Sequence, residues 1–331
     1  MYNLPRNMSY IEKLEAIYPS IGNTEVVQFV FEYIGIKKVV YAKKEFTNPS
    51  GSIKIRPAYQ ILHDAISKGK LVEGQRVIEV TSGNMGIALA YLCEKIGNPI
   101  TILMPKTMSK ERIEILENLG ADVVLTEDFL DAFNKQNEFI SGGAYCTKQF
   151  ENPSNLKAHI KTANEIIEQV DEFDGFVSGV GTGGTLIGVG SVLKQKKNTK
   201  VIVIDPKESG LIAFGQSKGK HKIQGLSDQV IPALYNKDLI DEYIEIASDD
   251  AICMARKIRQ KFGISVGISS GANLLGAILS RENIIVTVLP DDDKKYLSTD
   301  LYNESIKSKL VDDINFVSLN RPNAWNYKIT V

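Results

Sequence analysis

The sequence predicts an α/β protein whose sheets are parallel or mostly parallel and are flanked by helices. Short apolar runs of strand length recur along the chain, and most are followed by a glycine-rich or polar turn and then by apolar residues at helical spacing. Strands that alternate with helices need crossover connections, which make neighbouring strands parallel and cover both faces of the sheet. At roughly 150 residues per domain, 331 residues predict two domains.

The individual elements follow from local signals. Pro57 fits the first turn of the opening helix, because that turn leaves its N–H groups unpaired and proline has none. Ser109 and Gly120 mark the start and the end of another helix, as an N-cap and a C-terminal stop. Runs rich in Val, Ile and Leu predict the strands. The predicted helices span 57–68, 86–95, 109–119 and 185–194, and the predicted strands span 76–80, 99–104, 122–126, 175–178, 200–205 and 284–289.

Composition and charge argue against several classes of protein. The 39 basic and 40 acidic residues leave a net charge of −1, which gives no reason to expect nucleic acid or an anionic membrane as a partner. No apolar run reaches the roughly 18 residues of a membrane span, and the N-terminal residues lack the order of a signal peptide. Three scattered cysteines and three distant histidines argue against a disulfide framework and a zinc site. A cytoplasmic protein without a metal is expected.

Three loops between predicted elements carry residue types that could do chemistry. The first, residues 48–54 (NPSGSIK), places Lys54 at the entrance of a helix. Lysine forms Schiff bases readily, and it does so best when it is partly desolvated. The alternative is a lysine that merely begins a helix, and this segment alone does not separate the two readings.

The other two loops each join a strand to a helix. Residues 81–86 (TSGNMG) offer hydroxyls, an amide and N–H groups at a helix N-terminus, which suits a carboxylate, although a simple capping turn is the alternative. Residues 179–185 (GVGTGGT) let backbone N–H groups approach an anion closely, which indicates a phosphate. Gly179, Gly181 and Gly184 also match the dinucleotide pattern, with Asp205 ending the next strand. A nicotinamide dehydrogenase is therefore an alternative.

Taken together, these segments resemble the pyridoxal-phosphate enzymes of fold type II, most closely the cysteine synthase (O-acetylserine sulfhydrylase) and cystathionine β-synthase family. The likeness covers nearly the whole chain. Besides the three loops, the ordered matches are 21–24 (IGNT), 104–105 (MP), 108–112 (MSKER), 149–153 (QFENP), 221–225 (HKIQG), 267–271 (GISSG) and 296–299 (YLST). The resemblance implies two α/β domains with the cofactor between them. The smaller would span 46–155, and the larger would combine 1–45 with 156–331.

The resemblance also implies a role for the residues of these loops. Lys54 would hold pyridoxal 5′-phosphate as a Schiff base and, once released, would remove the proton from the substrate's Cα. The other cofactor contacts would be Asn84 at the 3-oxygen, Ser269 at the pyridine nitrogen, and Gly181, Thr182, Gly183, Gly184 and Thr185 at the phosphate. The substrate carboxylate would be held by Thr81, Ser82, Asn84, Met85 and Gln149.

Three features depart from the family pattern. Asp228 follows the Ile-Gln-Gly motif where small neutral residues are usual, and Met85 replaces a threonine. Asp291, Asp292 and Asp293 replace a stretch that commonly contains Gly-Glu-Arg. An acidic pocket mouth would repel hydrosulfide and favour a neutral nucleophile that needs a base. The alternative for Asp228 is a loop acid that points into solvent.

These observations predict β-replacement or β-elimination on cysteine- or serine-type amino acids through an α-aminoacrylate. The favoured hypothesis is that L-cysteine and water give L-serine and hydrogen sulfide, with Asp228 as the base for water. Cysteine synthase proper, which uses O-acetyl-L-serine and sulfide, is the main alternative. A dehydrogenase built on the third loop and a non-catalytic relative that binds a peptide are further alternatives. A homodimer acting on a small amino acid is expected.

Overall fold

The computed structural model describes residues 8–81, 83–227 and 230–321. The helices are α1 (Tyr10–Glu15), α2 (Ile55–Ser67), α3 (Asn84–Ile96), α4 (Lys110–Asn118), α5 (Phe129–Ser141), α6 (Ser154–Gln169), α7 (Gly184–Lys197), α8 (Leu211–Phe214), α9 (Ser248–Phe262), α10 (Ile268–Leu279) and α11 (Lys309–Asp312). The strands are β1 (Val26–Tyr33), β2 (Ile36–Lys44), β3 (Val77–Val80), β4 (Ile100–Pro105), β5 (Asp122–Thr126), β6 (Tyr145–Cys146), β7 (Gly175–Gly179), β8 (Lys200–Pro206), β9 (Glu242–Ile246), β10 (Ile284–Leu289) and β11 (Asn315–Asn320). Every predicted helix and strand is present, with its ends within three residues of the prediction.

Two sheets form the framework of the molecule. The smaller has the strand order β5–β4–β3–β6, and all of its pairs are parallel. The larger has the order β11–β1–β2–β10–β7–β8–β9 and is parallel from β2 to β9. The mostly parallel α/β class is therefore confirmed. The larger sheet also contains an antiparallel part that was not predicted, because β1 pairs antiparallel with both β2 and β11.

The strands of the larger sheet are apolar on both faces, because helices cover both faces. Val177 and Ile202 pack in one cluster with residues of α9 and α10. The adjacent residues Phe176 and Val201 point the other way and pack with residues of α6 and α7. This alternation follows from the two-residue repeat of a strand, and it explains why β8 and β10 are continuous apolar runs in the sequence.

The N-terminal segment divides its contacts between the two sheets. The strands β1 and β2 lie in the larger sheet. By contrast, Leu14 of α1 and Ile17, which follows α1, pack in the apolar cluster formed by α2 and α3, beside the smaller sheet. The domain limits at residues 46 and 155 stay a prediction.

The topology brings the predicted loops to one cleft. The strands β3 and β7 end at the second and third loops, and β10 ends beside the first loop, where the Ile53 N–H donates to the Pro290 carbonyl at 2.8 Å. Ligands of parallel α/β sheets bind at these carboxyl ends. Within the described ranges, no helix is long and apolar enough to cross a membrane. The same part of the chain has no cluster of three or more His, Cys, Asp or Glu side chains that could hold a metal.

Candidate active site

A single cleft collects the residues that the sequence singled out. The space within it, including the open mouth, is about 780 Å³. The predicted site residues in its lining are Lys54, Thr81, Asn84, Met85, Gln149, Gly181, Thr182, Gly183, Gly184, Thr185 and Ser269. The two other predicted residues, Ser82 and Asp228, lie outside the described residues.

The glycine-rich loop is a cradle in which side chains have no room. Gly183 has a φ of +83°, in the left-handed region that favours glycine. A Cβ on Gly181 would lie 2.3 Å from the Gly225 carbonyl oxygen, and a Cβ on Gly184 would lie 2.0 Å from Asn155 Oδ1. The loop leads directly into the 14-residue helix α7. Its N–H groups and the positive end of the helix dipole therefore suit a phosphate.

The threonines of this loop are held from α6. Asn155 Nδ2 donates to Thr182 Oγ1 at 2.9 Å, and His159 Nε2 lies 3.4 Å from Thr185 Oγ1. Burial lowers the pKa of His159 well below its ordinary value, and the charges of Arg56 and Lys54 lower it further. His159 is therefore a neutral ring at pH 7. Sequence reasoning missed both α6 residues, because a lone His or Asn in a helix gives no signal before its tertiary contacts are known.

Lys54 lies at the entrance of α2, where the chain is fixed on both sides. Its own N–H donates to Ser52 Oγ at 3.3 Å, and its carbonyl accepts from the Ala58 N–H at 3.0 Å. Ser52 also forms a bridge with Asp291, just after β10. The lysine that could hold a cofactor is thus placed by contacts with the larger sheet.

A buried cluster of charged side chains includes Arg56, two residues after Lys54. We define it as Lys43, Glu45, Arg56 and Glu165, none of which is more than 4% exposed. Arg56 makes two hydrogen bonds to Glu45 (2.7 and 2.8 Å) and two to Glu165 (2.9 and 2.7 Å). Lys43 Nζ lies 2.9 Å from Glu165. Burial alone raises the pKa of Glu45, but the Arg56 charge and its hydrogen bonds outweigh burial and lower it.

The second loop presents polar groups from the smaller sheet. Thr81 Oγ1 accepts from the Gly83 N–H at 3.1 Å, and Gln149 Nε2 donates to the Val80 carbonyl at 3.2 Å. Asn84 Nδ2 donates to Asp291 at 2.8 Å. An amide nitrogen carries two donors, so one N–H of Asn84 remains for a ligand.

The acidic stretch after β10 does not line this cleft. Asp291 is buried and accepts hydrogen bonds from Asn84 and from a tyrosine hydroxyl. Asp292 pairs with Lys295 at 2.8 Å, and Asp293 accepts from another tyrosine hydroxyl at 2.6 Å. The expectation that these acids make the pocket mouth acidic is therefore wrong, because none of the three is among the residues that line the cleft.

The structure also removes the basis of the dinucleotide alternative. A dinucleotide site needs an acid at the end of the second strand to bind a ribose hydroxyl. Asp205 is 1% exposed, and its carboxylate accepts from the N–H groups of Ile212 and Ala213 and from the Ser227 hydroxyl at 2.8 to 3.0 Å. It closes the turn after β8 instead.

Comparison with known proteins agrees with this geometry. A family described as pyridoxal-phosphate dependent enzyme matches residues 17–291. Cysteine synthase B of Campylobacter jejuni subsp. jejuni is 41% identical over 300 residues, covering 87% of this chain and 98% of that protein. The chain belongs to the cysteine synthase family of pyridoxal-phosphate-dependent enzymes. A cysteine synthase of Staphylococcus aureus is 40% identical over 295 residues, covering 85% of this chain and 95% of that protein.

Solved structures support the same membership. A hydrogen sulfide-producing enzyme from Fusobacterium nucleatum has a TM-score of 0.86 and 37% identity, and the match covers 94% of this chain and 99% of that chain. A cysteine synthase from Entamoeba histolytica has a TM-score of 0.82 and 37% identity, and the match covers 95% and 96%. This chain is therefore a fold type II enzyme that uses pyridoxal phosphate for β-replacement on a small-molecule substrate.

Proposed function

We propose that this cysteine synthase family enzyme converts L-cysteine and water into L-serine and hydrogen sulfide. One observation carries the proposal. Gln224, Gly225 and Leu226 line the cleft, and the Ser227 N–H donates to the Val180 carbonyl at 2.7 Å. Asp228, the acid that departs from the family pattern, therefore follows directly on a segment of the cleft lining.

Similarity to hydrogen sulfide-producing enzymes supports this reaction. Two enzymes of Fusobacterium nucleatum described in this way match the chain with TM-scores of 0.86 and 0.78. The first has also been solved as an aspartate-to-asparagine variant that holds an α-aminoacrylate intermediate. We propose that Asp228 likewise acts after sulfide has left, in the step in which water adds.

Each residue assigned to the site would have a separate role. When bound, pyridoxal phosphate supplies the electron sink for a Cα that has lost its proton. Lys54 would hold that cofactor and move the proton at Cα, while the N-terminus of α7 would hold the phosphate. Thr81, Ser82, Asn84, Met85 and Gln149 would fix the substrate carboxylate, with Met85 contributing only its backbone. Ser269 would face the pyridine nitrogen.

Asp228 would then decide which nucleophile is used. Water is a poor nucleophile at neutral pH and gains from a positioned base, typically by about 10²- to 10⁴-fold. In the proposed reaction the C–S bond at Cβ breaks and a C–O bond forms. The sulfur leaves as hydrosulfide, and the proton of the attacking water passes to Asp228. Asp228 then releases this proton to solvent, and solvent supplies the one proton that converts hydrosulfide into hydrogen sulfide.

One observation favours the alternative, cysteine synthase proper. Arg112 is 2% exposed, it packs beside Gly83, and it donates to Gln224, a residue of the cleft lining. A buried guanidinium near the cleft attracts an anion. This would favour hydrosulfide as the nucleophile, with O-acetyl-L-serine as the partner substrate.

The deciding experiment compares two product assays in the Asp228→Asn variant. We expect serine formation from cysteine to fall at least about 100-fold, because the base is lost. Cysteine formation from O-acetyl-L-serine and sulfide should change little, because hydrosulfide needs no base. Asp238→Asn, an exposed acid ten positions further on, is the matched control and should leave both assays unchanged.

Two outcomes would overturn the proposal. If Asp228→Asn makes serine at the parental rate, Asp228 is a loop acid and cysteine synthase is the better function. If Lys54→Ala keeps the visible absorbance of the cofactor–lysine imine, the assignment of the cofactor lysine itself fails. The homodimer stays a prediction, which the mass of the native protein in solution tests.

A further inference from the structure

Glu79 is a buried acid directly behind the proposed substrate site. It lies on β3, two residues before Thr81, and is 1% exposed. Its carboxylate accepts from Thr147 Oγ1, from the Val80 N–H at 3.1 Å and, in a long contact of 3.5 Å, from Gln149 Nε2. All of these donors are neutral, and within the described ranges Glu79 takes part in no ion pair.

Among the described residues, the elements packed around Glu79 place no cation in an ion pair with it. On β4, the residue paired with Glu79 is the apolar Ile102. The face of β3 that carries Glu79 also carries Val77, which packs in an apolar cluster with α2 and α3. On β6 the titratable neighbours are Tyr145 and Cys146, and burial raises the pKa of each to about 12. Both are neutral at pH 7. Burial also raises the pKa of Glu79 to about 7, against the lowering effect of its hydrogen bonds.

Gln149 connects this acid to the cleft. It lines the cleft, and its amide nitrogen is directed at two acceptors, the Val80 carbonyl and Glu79. An amide nitrogen has only two N–H donors. A substrate carboxylate that binds Gln149 must therefore take a donor from one of these acceptors. Removing the charge of Glu79 weakens its hold on Gln149 and also removes a repulsion between two nearby anions.

We propose that Glu79 is a positioning residue that couples binding of the substrate carboxylate to uptake of one proton, acting through the amide of Gln149. The proton comes from solvent and binds a carboxylate oxygen of Glu79. The inference rests on the proposed function, because it requires Gln149 to hold the substrate carboxylate. It adds a pH dependence of substrate affinity that is separate from the base at Cβ.

The test uses L-alanine, which has the substrate's amine and carboxylate but no leaving group. Its Kd is measured by calorimetry on the holoenzyme between pH 6.5 and 8.5, for the parent protein and for Glu79→Gln. We expect the Kd of the parent to rise roughly 20-fold more than that of the variant, because only the parent must protonate Glu79. Effects of the alanine amine are common to both proteins and cancel.

A second readout counts protons directly. At pH 7.5, calorimetry in buffers of different ionisation enthalpy should show that the parent takes up about three-quarters of a proton more than Glu79→Gln on binding alanine. Glu94→Gln removes an exposed acid on α3 and should behave like the parent. A purely structural role for Glu79 would change the Kd equally at every pH and would leave proton uptake unaltered.

The failure of this inference is distinguishable from failure of the proposed site. If Gln149→Leu binds alanine as tightly as the parent, Gln149 does not hold the carboxylate, and the site assignment fails. If Gln149→Leu loses affinity while the parent and Glu79→Gln show the same pH dependence and proton uptake, the coupling is overturned and the site assignment stands.

Discussion

Glu45 and Glu79 are both buried near the cleft, yet their surroundings shift the pKa of the two carboxyl groups in opposite directions. Glu45 accepts from Arg56, Thr24 and Asn48, and the guanidinium holds its pKa below the ordinary value despite burial. Glu79 receives only neutral donors, and burial raises its pKa to about 7. Burial therefore does not by itself decide whether an acid is charged. A cationic partner with matching geometry does.

Removing the guanidinium of the buried charged cluster should have the largest effect. Arg56→Met leaves Glu45 and Glu165 buried with Lys43 but without the guanidinium that bonds both carboxylates. Breaking a buried pair in this way typically costs about 3–5 kcal/mol. We expect the free energy of unfolding of the holoenzyme at pH 7.5 to fall by that amount in urea denaturation. Lys13→Met, which breaks a surface pair with Glu73, is the control and should cost less than about 1 kcal/mol.

The contrast between Glu45 and Glu79 would be contradicted if Arg56→Met lowered the free energy of unfolding no more than Lys13→Met does. The two carboxylates would then be tolerated in the folded protein without the guanidinium. We also expect the contribution of Glu45 to be lost as the pH falls, because its folded-state pKa is lowered. The parent should therefore lose stability below about pH 4.5 more steeply than Arg56→Met does.

Neutralising Glu79 should raise the free energy of unfolding, whereas removing Arg56 lowers it. The pKa of Glu79 is raised in the folded state from 4.5 to about 7, so its contribution to stability is complete below pH 4.5 and is lost as the pH rises through 7. Glu79→Gln carries no such loss. We expect the variant's advantage over the parent to grow from under about 1 kcal/mol at pH 5 to about 3 kcal/mol at pH 8.5. Urea denaturation at several pH values measures it, and a difference that is independent of pH contradicts it.

Removing the threonine hydroxyl that donates to each acid should have a smaller effect, and the effect should differ between the two acids. Thr147→Val deletes a donor to the charged form of Glu79, which should raise its pKa by about one unit. The pH dependence of the alanine Kd would then move upward by the same amount. Thr24→Val deletes a donor to Glu45, which keeps Arg56. We expect a loss of about 1 kcal/mol and no new titration between pH 6 and 8.

The sequence predicts the parts of the site whose chemistry lies in one contiguous loop. The glycine-rich loop indicates a phosphate locally, because glycines before a helix let backbone N–H groups approach an anion. Lys54 was assigned only through the family resemblance, because its own segment does not separate a cofactor lysine from one that begins a helix. His159 and Asn155 were missed because they act only through contacts with a loop more than 20 residues away. For the same reason, Asp291 looked like a cleft acid until its buried partners were known.

The fold shows the same limit. Six strands of the parallel pairs (β3, β4, β5, β7, β8 and β10) were predicted from their apolar runs, whereas β2, β6 and β9 were not. The β1–β2 hairpin was missed although it has a two-residue turn, Ile34–Gly35, with φ of 51° and 72°. Isoleucine is unusual in the left-handed region, so the usual Asn-Gly signal of such a turn is absent.

The pairing of β2 with β10 has a consequence for how the chain folds during synthesis. It brings residues 39–44 beside residues 284–289, so the centre of the larger sheet joins segments that are far apart in the sequence. The smaller sheet uses only residues between 77 and 146. As the ribosome adds residues from the N-terminus, we expect this local sheet to form before the larger one is complete. Meanwhile one edge of β2 stays unpaired until residues 284–289 have been made.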